Sequence, residues 1–135
     1  MPYIDIALLL REALELSGCS SEQIGEFDSH STIELELVGL PSLNIAVIGE
    51  DLWFWSSLVD ASPMLYNHRS EEMLRYLMSG FSSARTDQMQ LVESDGQLEV
   101  RVMLAPHCIE SAEALAEAID AYLTRLAQLR DIVHQ

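Results

Sequence analysis

Between Asp28 and Leu58 the chain carries three short segments with a period of two, separated by turn residues. In the first, Ile33, Leu35 and Leu37 alternate with Thr32, Glu34 and Glu36, the pattern of a strand with one apolar and one charged face. Leu40-Pro41-Ser42 interrupts it, and a proline there predicts a turn, because it fixes φ and cannot donate to a ladder. The second segment is different. Leu43, Ile45 and Val47 alternate with Asn44, Ala46 and Ile48, so both of its faces are largely apolar. Gly49-Glu50-Asp51 predicts another turn, and Leu52-Trp53-Phe54-Trp55 then sets Leu52 and Phe54 on one face and both tryptophans on the other. Helices covering one side of a sheet do not require a second apolar face. A chain with this segment must cover that face with something else.

The flanking segments supply the first cover. Ile4 to Ser17 reads as a helix closed by Gly18, with Ile6, Leu9, Leu10, Ala13 and Leu16 as its core stripe. Ile4 and Leu8 fall among Asp5, Arg11, Glu12 and Glu15 on the polar side. Leu65 to Ser79 reads as a second helix stopped at Gly80, with Met73, Leu74, Leu77 and Met78 at helical spacing. Gln88–Glu93 and Gln97–Leu104 flank Ser94-Asp95-Gly96, and the Asp-Gly pair is a strong hairpin signal. Leu98, Val100, Val102 and Leu104 form the inward set of that hairpin; Glu99, Arg101 and Met103 face out. Ser111 is placed to cap a last helix whose seam is Leu115, Ile119, Tyr122, Leu126, Leu129 and Val133. The order is α-β-β-β-α-β-β-α: an α+β fold with a twisted antiparallel sheet and helices, in one domain spanning 1–135.

Charge narrows the partners. Seven basic residues, all arginine, stand against 22 acidic ones, for a net charge of −15. Nucleic-acid backbones and anionic membrane surfaces both demand clustered cations, so neither is expected as a partner. A basic or neutral apolar segment suits the surface better. No apolar run approaches the ~20 residues of a membrane span and the N-terminus lacks the pattern of a signal peptide, so the expected location is the cytoplasm. Cys19 and Cys108 make no disulfide framework and read as small buried hydrophobes.

No constellation in the chain calls for catalysis. Asp28-Ser29-His30 holds the residue types of a hydrolase triad, but consecutive residues at a strand entrance cannot converge as a triad must. His107 and Cys108 lack the further ligands that a metal site needs. Every glycine stands alone at a turn or cap, so no phosphate loop is present. The expectation is a non-enzyme without cofactor or metal.

Leu16-Ser17-Gly18-Cys19, Ile24-Gly25, Asp28-Ser29-His30-Ser31-Thr32-Ile33, Leu40-Pro41-Ser42 and the Trp53/Trp55 pair resemble, in order and spacing, the InvB/SpaK family of type III secretion chaperones. The resemblance implies an acidic, cytosolic bacterial homodimer that binds the N-terminal, non-globular segment of invasion effectors. It further implies that the bound segment stays secretion-competent and is delivered to the secretion apparatus. On this reading cargo adds to a sheet edge and drops apolar side chains into pockets. The residues expected to form those pockets are Ile4, Leu8, Trp53 and Trp55, with Leu43, Ile45 and Val47 of the second strand alongside. Alternation leaves open which face of that strand they take. Met73, Leu77 and Met103 are the expected homodimer contacts. Two other classes compete: a structural or adaptor dimer whose apolar faces serve assembly alone, and a binder of a small apolar ligand between the tryptophans.

Overall fold

A computed structural model describes residues 5–18 and 32–134. Its elements are α1 (Ile6–Leu16), β1 (Ile33–Leu37), β2 (Leu40–Ile48), β3 (Asp51–Asp60), α2 (Pro63–Met78), β4 (Gln90–Ser94), β5 (Gln97–Met103), a 3₁₀ turn (Pro106–Ile109) and α3 (Ala112–Val133). The five strands form one antiparallel sheet in the order β1-β2-β3-β5-β4. This is the α+β architecture expected from the sequence. Among the described residues no helix is long and apolar enough to cross a membrane.

Each helix starts where a side chain satisfies an otherwise orphaned amide. The carboxylate of Asp5 accepts from the Leu8 amide at 3.1 Å, Ser62 from Leu65 at 3.2 Å and Ser111 from Ala114 at 3.1 Å. Turns follow their residue types just as closely. Asp95 and Gly96 both take positive φ (53° and 76°), as a two-residue hairpin turn needs. The first hairpin departs from expectation, because Leu40, Pro41 and Ser42 lie inside β2 and the turn is Val38-Gly39, with Gly39 at φ +76°. Leu35 pairs with Leu43 and Leu37 with Leu40, which leaves Pro41 and Ser42 together opposite Glu36. That bulge is where a strand tolerates proline, since no ladder bond depends on its missing N–H.

The core lies between the sheet and α3. Every residue of the expected seam (Leu115, Ile119, Tyr122, Leu126, Leu129 and Val133) is buried, as are Leu98, Val100, Val102 and Leu104 opposite them. At the centre the Phe54 and Tyr122 rings meet edge to face, centroids 5.4 Å apart and planes at 78°. Tyr122 also carries a hydroxyl into this apolar layer, and Ser56 Oγ answers it at 2.8 Å. Both α1 and α2 pack against α3. From α1 it is Leu10, Ala13 and Leu14 that are buried; Leu16, expected in that stripe, is exposed, because its position lies about a third of a turn away from the contact.

From α2, Tyr76 locks onto α3 by a reciprocal exchange. Its hydroxyl donates to the Arg125 carbonyl at 2.9 Å, while Arg125 Nη2 donates to the Tyr76 carbonyl at 2.7 Å. The Arg125 guanidinium lies 4.0 Å over the Tyr76 ring.

Two stability predictions follow from the buried hydroxyls. Tyr122→Phe strands Ser56 Oγ without a partner and is expected to cost about 1–2 kcal/mol. Adding Ser56→Ala should recover part of that loss; urea denaturation of the four-member cycle measures it, with the denaturant slope unchanged. Burial holds the Tyr122 phenol above its ordinary value near 10 and pushes Tyr76 up to about 12, with Arg125 partly opposing the shift at Tyr76. A raised folded-state value means that this stability is complete below pH ~10 and is lost as pH climbs above it. Melting temperature should therefore hold through mild alkalinity and fall beyond pH ~10.

Candidate partner-binding face

Among the described residues, no helix packs on the sheet face opposite α3. Register assigns its residues: Trp53 is level with Ala46 and Met103, Trp55 with Asn44 and Arg101, and Ser57 with Glu99. Both tryptophans are half-buried, whereas their neighbours Leu52 and Phe54 point the other way into the core. A shallow groove of about 350 Å³ runs along this face, lined by Ile48, Trp53, Trp55, Ser94, Glu99 and Arg101. Ile48, at 57% exposure, leaves a large aliphatic surface at one end of it.

One ion pair sits in the groove. Glu99 is buried, and Arg101 turns both Nε and Nη2 onto the same carboxylate oxygen, Oε2, the Nε bond measuring 2.9 Å. Glu99 Oε1 has no hydrogen-bond partner among the described residues. At the margin Arg85 bridges to Asp51 at 3.1 Å, and Asn44 Nδ2 donates to the Trp55 carbonyl at 3.3 Å. The chemistry offered is apolar contact, aromatic faces and one open carboxylate oxygen. Among the described residues no cluster of three or more His, Cys, Asp or Glu side chains could hold a metal ion.

The expected site residues divide. Trp53 and Trp55 share the open face, and Leu8 is exposed on the outer side of α1. Ile4 lies outside the described residues, as do Cys19, Ile24, Gly25 and the Asp28–Ser31 block. Leu43 and Ile45 require correction. Both are 0% exposed, because Ile45 pairs with Phe54 and Leu43 with Leu35, which puts them under the helices. Val47 is partly buried against the same core. The assembly residues need a similar revision. Met73 is a core residue, and Leu77 packs partly on the core, while Leu74 (57% exposed) and Met78 (69% exposed) present α2's apolar surface to solvent. Met103 is partly buried beside Trp53. Glu99 and Arg101 were placed outward by alternation alone; what marks them is their pairing with β3, a register between distant segments that periodicity does not give.

The sequence profile of the Invasion protein B family matches residues 18–95. Two curated relatives, the surface presentation of antigens protein SpaK of Salmonella typhimurium and that of Salmonella typhi, are each 38% identical over 126 residues, covering 93% of both chains. This chain belongs to the Invasion protein B family. Among solved structures, a chain of the heterodimeric ExoU-SpcU complex from the type III secretion system of Pseudomonas aeruginosa superposes with a TM-score of 0.56. That likeness covers 95% of this chain and 93% of the other at 14% identity. YbjN, a putative transcription regulator from E. coli, gives a TM-score of 0.57 over 92% and 85% at 16% identity. At such identities both likenesses speak for the fold. Membership of this family supports a type III secretion chaperone role.

The two faces of β3 make opposite mutational predictions. Phe54→Ala removes a ring from the centre of the core and should cost about 3–5 kcal/mol. Trp55→Ala, one residue on, should cost less than about 2 kcal/mol, because the half-exposed ring leaves no closed cavity behind. Chemical denaturation of the two single variants checks the contrast.

Proposed function

We propose that this chain is a type III secretion chaperone that binds the N-terminal non-globular segment of one or more invasion effectors in the bacterial cytoplasm. It keeps that segment competent for secretion and brings it to the export apparatus. One observation carries the reading within this family: a pair of half-buried tryptophans on a sheet face that no helix covers among the described residues. Among the described residues β1 and β4 end the sheet with one edge each unpaired, so an extended segment added there gains main-chain bonds while its side chains enter the groove. Ordering such a segment costs entropy, which favours long contact across the face and onward to Leu8 of α1. A shallow open groove suits a chain of this kind better than a small enclosed ligand.

The acidic surface fits the same role. Each arginine already has an interaction partner: Arg69, Arg75, Arg85, Arg101 and Arg130 in ion pairs, Arg125 on Tyr76, and Arg11 likewise engaged. The acidic excess that remains favours a partner segment that is basic or neutral. The exposed Leu74 and Met78 on α2 are proposed as the homodimer contact, displacing Met73 from that role.

Two tests address these readings. In co-expression with N-terminal effector fragments, Leu8→Asp and Trp55→Ala should fold and yet lose cargo, each weakening binding by about 2 kcal/mol or more. Normal capture by both variants would place the cargo elsewhere. For assembly, light scattering of Leu74→Asp/Met78→Asp should return the monomer mass at micromolar concentration where the unmodified chain returns twice that. A double variant that stays dimeric removes α2 from the interface.

A further inference from the structure

The ion pair in the groove is lopsided. Arg101 spends two donors on one oxygen of Glu99, and the other oxygen, Oε1, is left without a bond although the residue is buried. That oxygen keeps contact with solvent from a side chain otherwise packed among its neighbours, and an ion pair formed at such a site is screened less than one on open surface. Trp53 and Trp55 line the same groove, and tryptophan offers the best aromatic face for a cation. Ile48 and the indole rings provide apolar surface for a long aliphatic stem.

We propose that the groove formed by Trp53, Trp55 and Glu99 takes a lysine or arginine side chain carried by an otherwise apolar, extended segment of the partner protein. The stem of that side chain lies along the indoles and its charged tip donates to Glu99 Oε1. Charge complementarity selects this occupant. The chain carries −15, its arginines are engaged, and an acidic side chain entering the groove would meet that field with Arg101 already committed to Glu99. A wholly apolar segment would fill the groove and leave Oε1 unbonded. The assignment rests on the reading of this face as the cargo surface, and it adds the chemistry by which one cargo position is chosen.

Trp53 and Trp55 are the only tryptophans in the chain, so indole emission reports the groove alone. The probe is a set of capped twelve-residue peptides of alternating valine and threonine that differ at one central position: lysine, arginine, norleucine, glutamine or glutamate. Titrated into the full-length chain, the lysine and arginine peptides should bind about tenfold or more tightly than norleucine, and glutamate should bind least. Glu99→Gln, checked for an unchanged melting profile, should erase the lysine-over-norleucine ratio and leave norleucine binding as it was. If the variant does not fold, the peptide series on the unmodified chain decides alone. Equal binding of lysine and norleucine overturns the proposal and leaves the cargo face standing. No binding by any peptide overturns both. An emission shift on dilution without peptide assigns the groove to a second copy of this chain, and overturns the proposal as well.

Discussion

The docking of α3 across one face of the sheet is the contact on which the rest depends. Its centre is the edge-to-face meeting of Phe54 and Tyr122, with Ser56 completing the Tyr122 hydroxyl. Everything else on that side is arranged about the same helix: α1 and α2 pack against it, and Arg130 from its last turn donates to the Gly39 carbonyl at the first hairpin. Because strand side chains alternate, fixing Phe54 inward fixes Trp53 and Trp55 outward. The proposed partner face is thus a geometric consequence of the core, and a register slip in β3 would destroy both at once.

This division explains why a small chain can leave two tryptophans only half-buried and still fold. The apolar area that holds the domain together is drawn from the helix-covered face, so the open face is released from stabilising duty. Its indoles are half-buried by their neighbours along the strands and retain surface for a partner. The large acidic excess works in the same direction, since it keeps a molecule with an exposed apolar groove soluble.

Much of the fold was legible because single-segment periodicity sufficed. The seam from Leu115 to Val133 could be written from spacing alone, as could the inward set Leu98 to Leu104, the Asp95-Gly96 turn and the Ser111 cap. The misreadings share one physical cause, which is that local patterns do not fix a segment apolar on several sides. Leu43 and Ile45 looked available to a partner because Asn44, Ala46 and Ile48 are nearly as apolar as a facing set; only pairing with Phe54 and Leu35 decides the matter. Met73 and Leu74 are neighbours about 100° apart on a helix rich in methionine and leucine, so which one meets α3 depends on tertiary packing. Pro41 looked like a turn because a bulge that accommodates proline is a property of two strands together. Glu99 was visible as an outward residue, but its half-bonded carboxylate belongs to the register with β3 and to Arg101.

The central claim is that adjacent residues of one strand serve two masters, the core and a partner. Hydroxyl-radical footprinting of the free chain and of its complex with an effector N-terminal segment tests it residue by residue. In the free chain Trp53, Trp55 and Ile48 should label readily while Phe54 and Tyr122 do not; in the complex the first three should be protected and the last two unchanged. Tryptophans that resist labelling in the free chain, or that label equally in the complex, would contradict the account.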